Sequence, residues 1–298
     1  MEDIYYLCDL ASISLSRASI IESIIPKPGN ASRVQDIDSV NFQSILESAL
    51  VTFPSYKEVC VRGSTSKKPI YDTLYNSILE SNLLGIKYSI FGTSLMLIPI
   101  AYSFTNSYDI NSLIEKVSQV VLSLDDNDGR WFLSALRILS PSYLGKRSSM
   151  DYRELNNVSL LRILQESSTT DSVAKNMLEH YKYSVIVYEI IKQKKCGFAK
   201  DIQKAFIKIL SQLPDGLILR KQGARLALSI STMVSKFSDC PTENELAELN
   251  SFLISKKANP GSTADIIASG IALYLLEGIY ESRVSNKFPL RHGCDRVY

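Results

Sequence analysis

Residues 4–30 read IYYLCDLASISLSRASIIESIIPKPGN. Ile4, Leu7, Ala11, Leu15, Ala18 and Ile21 recur at steps of three and four, which places them on one face of an α-helix. That helix has to end before Pro26-Lys27-Pro28-Gly29, because proline has no amide proton and its ring clashes with the preceding turn. The same period runs through most of the chain. It predicts helices over Val40–Leu50, Tyr71–Leu84, Ile90–Phe104, Ile110–Leu124, Arg130–Leu139, Val158–Gln165, Ser172–Lys195, Phe198–Leu213, Leu217–Phe237, Glu243–Lys257 and Ser262–Glu281. Arg62–Pro69 reads as a loop, and Asp125–Gly129 as a turn that caps the following helix. Strand-like alternation is scarce. The expected fold is all-α, a single array of about ten to twelve helices with short connections. Residues 1–282 form its one domain and residues 283–298 a basic tail.

Composition agrees with that reading. The chain has 298 residues, 45% of them hydrophobic, enough to bury a core without a metal or disulfide staple. A net charge of +2 argues against a protein that coats nucleic acid, while leaving room for a local phosphate pocket. The five cysteines form no C-x-x-C pair, so a zinc knuckle and a dense disulfide framework are disfavoured, and Cys196 reads as a loop thiol. Histidine occurs only at His180 and His292, which excludes H-E-x-x-H zinc chemistry. The most apolar windows, Ile90–Tyr102 and Ile266–Leu276, are shorter than the roughly 20 residues of a spanning helix. The expectation is a cytoplasmic protein with no membrane and no nucleic-acid partner.

Two short segments could carry chemistry. In Glu22–Arg33, a proline-stiffened turn would hold Lys27 at a fixed place. Lys27 and Arg33 could meet phosphate oxygens there, and Gly29 would let backbone amides approach an anion. The structural alternative is a plain helix-terminating turn. In Asn259-Pro260-Gly261-Ser262-Thr263-Ala264-Asp265, Ser262 and Asp265 match an S-x-x-D capping box at a helix start, where exposed amides favour anions. The alternative is that Asp265 only caps. Both are tight turns beside apolar helices, and they are predicted to meet in one pocket.

Taken together, these segments resemble the two ends of triphosphoribosyl-dephospho-coenzyme A synthases, and most closely the archaeal branch. Pro26-Lys27-Pro28-Gly29-Asn30 is followed by Asp36, Asp38 and Phe42; Gly92–Ala101 is similar to the family's Gly-Thr helix; Leu136–Asp151 is similar to its next block. One departure is the Tyr88-Ser89-Ile90 stretch, where relatives carry an Asn-Thr-Asn or Asn-Thr-His type sequence. The resemblance implies an all-helical transferase. It would move the 5-triphosphoribosyl group of ATP to the 2′-hydroxyl of dephospho-coenzyme A and release adenine. It also implies Mg²⁺ and small-molecule substrates, and is compatible with a homodimer. The residues implicated are Glu22, Asp36 and Asp265 for catalysis, and Asp38 and Asp151 for metal. For nucleotide binding they are Lys27, Gly29, Asn30, Arg33, Lys146, Arg220, Lys221, Asn259, Gly261, Ser262 and Thr263. Two other readings fit: a degenerate member that binds without turnover, and a related transferase with a different acceptor.

Overall fold

The computed structural model describes residues 4–37, 40–140 and 154–284. Fourteen helices account for most of these. They are α1 (Ile4–Ile24), α2 (Phe42–Ser64), α3 (Asp72–Leu83), α4 (Phe91–Phe104), α5 (Ile110–Leu122), α6 (Asp126–Leu139), α7 (Leu160–Ser167), α8 (Ser172–Leu178), α9 (Lys182–Gln193), α10 (Phe198–Gln212), α11 (Gly216–Gln222), α12 (Ala224–Val234), α13 (Glu243–Ser255) and α14 (Gly261–Val284). Among the described residues the only β-type pairing is two isolated bridges, Ser32 with Gln35 and Ile37 with Val40. The fold is all-α, one compact array.

Its centre is α4, α1 and α14. Every residue of α4 from Thr93 to Phe104 is buried. α1 packs on α2, α14 and α4, while α14 also packs on α9. Some buried hydroxyls in this core are satisfied locally: Ser12 donates to the Cys8 carbonyl, Ser48 to that of Ser44 and Thr52 to that of Ser48. Such four-residue back-bonding lets small polar residues sit between helices without an unpaired donor.

Several boundaries differ from the periodic reading. α2 runs on to Ser64, through Pro54 and into the stretch expected as a loop. The expected helix over 172–195 is two, because His180 and Tyr181 take left-handed backbone angles. The Asn176 side chain then accepts from the amides of Tyr183 and Ser184, starting α9 afresh. The expected helix over 217–237 is broken at Gly223, whose φ of 89° side-chain-bearing residues seldom adopt. These two breaks account for the helix count exceeding the expected range.

Among the described residues two disulfides are present, Cys8–Cys60 between α1 and α2 and Cys196–Cys240 between two loops, so Cys196 is not a free thiol. α1 and α14 reach the length and apolarity that a membrane span requires, beyond the shorter windows considered above, yet half or more of each apolar window is buried inside the bundle. α14 extends to Val284, so the expected tail boundary at residue 283 falls inside a helix; residues 285–298 lie outside the described residues.

Candidate functional site

The two predicted segments meet. The Asn30 amide nitrogen donates to Asn259 Oδ1 at 3.0 Å, across 229 positions of sequence. Beside this contact lies a cavity of about 310 Å³, lined from the first segment by Glu22, Asn30 and Ala31 and from the last by Asn259, Gly261, Ser262, Ala264 and Asp265. Thr93 at the start of α4, Asp171 before α8 and Arg220 at the end of α11 add polar groups to its lining. The opposite wall is apolar, with Phe91, Phe132, Leu133, Leu136, Leu155 and Ile163. The Phe91 and Phe132 rings lie 5.6 Å apart.

The Pro26–Asn30 turn is held from several sides. Gln203 of α10 donates to the Pro26 carbonyl at 2.9 Å, and Asn250 of α13 accepts from the Gly29 amide at 2.8 Å. Gly29 has a φ of 72°, and a Cβ there would lie 2.9 Å from the Ala258 carbonyl oxygen, so glycine is needed for both angle and space. Its amide is engaged by Asn250 and does not face an anion.

Lys27 departs furthest from expectation. Its side chain is fully buried. The ammonium pairs with Glu22 Oε1 at 2.8 Å and donates to the Ile25 carbonyl at 2.9 Å and to the Glu22 carbonyl. An ammonium has three protons, and these three acceptors match them. Lys27 is not among the cavity-lining residues.

Asp265 is not the capping-box partner expected of it. α14 opens at Gly261, and Asp265 Oδ1 accepts from the Thr93 hydroxyl at 2.7 Å. A Cβ at Gly92 would come within 2.2 Å of Asp265 Oδ2, so the carboxyl lies directly on the α4 backbone. Desolvation lifts its pKa to about 8, with Glu22, Asp215 and Asp171 adding to the rise and the Thr93 hydrogen bond opposing it. At neutral pH this carboxyl is largely in the acid form. Burial also raises Glu22 above the ordinary glutamate range, with Lys27 pulling it back down. Capping of the adjoining helix starts falls to Asp215. Its Oδ1 accepts from the amides of Leu217 and Ile218, and its Oδ2 from the amide and hydroxyl of Thr263. Thr263 therefore supports the junction and does not line the cavity.

Arg220 lines the cavity and forms an ion pair with Asp171 Oδ2 at 2.7 Å. Asp171 Oδ1 meanwhile caps α8 through the amides of Val173 and Ala174. Other expected residues lie elsewhere. Asp36 is exposed and accepts from the Phe42 amide at the start of α2; Arg33 is exposed and donates to the Ile24 carbonyl; Lys221 is exposed on the outer side of α11. Asp38, Lys146 and Asp151 lie outside the described residues.

The sequence reading missed Asp171, Asp215, Asn250 and the role of Thr93. Asp171 and Asp215 each precede a helix, the usual place for a cap, but nothing local shows that each also reaches a second element. The Tyr88-Ser89-Ile90 departure is legible in the fold. The Tyr88 hydroxyl turns inward, 2.8 Å from both Thr52 Oγ1 and Ser94 Oγ, while Ser89 and Ile90 stay on the cavity wall. No group of three or more metal-ligating side chains gathers among the described residues.

Comparison with known proteins bears on the same site. No curated protein matches the chain. A solved structure from Archaeoglobus fulgidus, described as a triphosphoribosyl-dephospho-coA synthase, is 26% identical, with a TM-score of 0.63. The match covers 78% of this chain and 99% of that one. The family model for ATP:dephospho-CoA triphosphoribosyl transferase (CitG) matches residues 8–284. That span contains both motif segments, the Gly92-Thr93 helix start and the whole cavity, and the chain belongs to the ATP:dephospho-CoA triphosphoribosyl transferase family.

Proposed function

We propose that this protein catalyses its family's reaction at the cavity between α1, α4 and α14. The observation that carries the reading is the convergence of three distant segments on two carboxyls of unlike character, Glu22 paired with a cation and Asp265 held as an acid. Environments that push two acids apart are how one site supplies both an acid and an anion.

The assigned chemistry is breakage of the C1′–N9 bond of ATP. Adenine departs with the electron pair and receives a proton from the Asp265 carboxyl. Positive charge grows on the ribose, and the Glu22 carboxylate stabilises it. The 2′-hydroxyl of dephospho-coenzyme A then bonds to C1′, and Glu22 accepts its proton. Over the cycle one proton passes from the acceptor hydroxyl to adenine, so charge and atoms balance. The apolar wall at Phe91 and Phe132 suits the flat base, while Asn30, Asn259 and the α14 start suit the ribose. Arg220 suits the triphosphate, because a guanidinium meets phosphate oxygens in a fork. Mg²⁺ enters with ATP as part of the substrate, since magnesium commonly binds through phosphates plus one or two carboxylates.

The test is to incubate the protein with ATP, Mg²⁺ and dephospho-coenzyme A and separate the products by chromatography. Adenine and a triphosphoribosylated acceptor should appear in equal amounts. ADP, AMP or phosphate without adenine would contradict the assignment. ATP binding without turnover would favour a degenerate member, and adenine release that requires another acceptor would favour a related transferase.

A further inference from the structure

Lys27 stands in the most recognisable motif of the sequence, where a phosphate contact was expected, yet it does not line the cavity. Its three protons go to Glu22 Oε1, the Glu22 carbonyl and the Ile25 carbonyl, and its side chain has no exposed surface. Reaching a phosphate would require breaking these bonds and leaving Glu22 buried without its counter-ion, which is strongly unfavourable for a buried pair. Glu22, in contrast, lines the cavity. The turn that carries Lys27 is tied to α10 by Gln203 and to α13 by Asn250, so the ammonium is fixed in place before any substrate arrives.

We propose that Lys27 is a positioning residue that locks the Glu22 carboxylate into the cavity wall, and that it makes no contact with the phosphates of the nucleotide. The inference rests on the cavity being the site of the transfer described above. The motif is then a device for holding one carboxylate, and the prolines serve to place a lysine underneath it. The charged groups facing Glu22 are few. Lys27 comes from the turn and Asp265 from α14; α4 contributes the neutral Thr93 hydroxyl beside Asp265, and the buried Tyr56 phenol of α2 interacts with Asp265. Removing Lys27 leaves only a negative or neutral neighbour, so Glu22 becomes harder to ionise.

The experiment compares wild type, Lys27→Met, Glu22→Gln and the double variant. ATP affinity is measured by calorimetry with Mg²⁺, and turnover is followed as adenine release from pH 5 to 9. Lys27→Met should lower kcat about 100-fold at pH 6, with partial recovery as pH rises, and should change ATP affinity less than about twofold. In the Glu22→Gln background it should cost nothing further in kcat, since its target is already neutral. A tenfold or greater loss of ATP affinity with an unshifted pH profile would make Lys27 a phosphate ligand and overturn the proposal. If Lys27→Met does not fold, the double variant, which removes both charges together, decides the point through its ATP affinity.

A substrate-free readout separates this inference from the functional reading. The Glu22 carboxyl, titrated by ¹³C NMR and assigned by its loss in Glu22→Gln, should move upward by about one pH unit or more in Lys27→Met. No movement overturns the proposal even if the transferase activity is confirmed. Movement without any adenine release from wild type would sustain the Lys27–Glu22 link and sink the assigned reaction.

Discussion

The turn at 26–30 and the helix start at 259–265 touch through Asn30 and Asn259, yet they use their polar groups in opposite ways. The turn directs its cation inward, to Glu22 and two backbone carbonyls, and its Gly29 amide to Asn250. The helix start keeps Gly261, Ser262 and Asp265 on the cavity, while its first-turn support comes from Asp215 on another element. One segment fixes a carboxylate from behind, and the other presents a carboxyl from in front.

The largest effect expected from breaking this contrast lies at Asp265. Asp265→Asn preserves an acceptor for Thr93 but cannot donate a proton, so adenine release should fall about 10²–10⁴-fold. Its stability should change in the opposite sense. A carboxyl whose pKa is raised from 3.8 to about 8 binds more protons folded than unfolded in that interval, so wild-type stability falls as pH climbs through it. Asn removes that penalty, and thermal melts should show the variant gaining on wild type from pH 5 to pH 8, by roughly 5 °C at the upper end. Wild-type turnover should decline as pH rises through about 8, as the acid form is lost.

Gly92→Ala sharpens the comparison from the α4 side. The added methyl must displace Asp265 Oδ2, from which it would lie 2.2 Å, so kcat should fall about 10–100-fold. The melting temperature should drop by only a few degrees, since overpacking typically costs about 1–3 kcal/mol. Equal activity in this variant would show that the position of the carboxyl is unimportant.

Arg220→Ala tests the phosphate end. The KM for ATP should rise about tenfold, and inhibition by inorganic tripolyphosphate should weaken in parallel. Should Arg220→Ala leave both unchanged while Lys27→Met weakens them, the roles of the two cations would be reversed.

The smallest effect on catalysis is expected at Cys196→Ser. The bond to Cys240 joins loops outside the cavity, so kcat and KM should hold. Stability should fall by about 2–4 kcal/mol, read from denaturant melts under oxidising conditions.

Much of the fold was legible because burial imposes a helical period, as from Ile4 to Ile21 in α1. The misjudged boundaries arose where distant groups intervene: Asn176 recapping the chain at Tyr183, or α2 continuing through Pro54. The meeting of the two segments was legible as well, from two tight turns beside apolar helices, though Lys27 and Thr263 do not line the cavity they share. The direction in which Lys27 points was not. Sequence shows that a lysine is present and that the turn is stiff, but the choice between a phosphate and Glu22 depends on which acceptors the folded chain brings to the ammonium. Asp36 and Arg33 lie near the motif in sequence but face solvent in the fold, a placement set by the folded chain.

The most direct test of the account is a crystal structure of the Asp265→Asn variant with ATP and Mg²⁺, in which slow turnover preserves the substrate. The account predicts the base against Phe91 and Phe132 with its edge at residue 265, C1′ beside Glu22, the triphosphate at Arg220, and the Lys27–Glu22 pair intact. ATP bound outside this cavity, or Lys27 swung round to hold a phosphate, would contradict it.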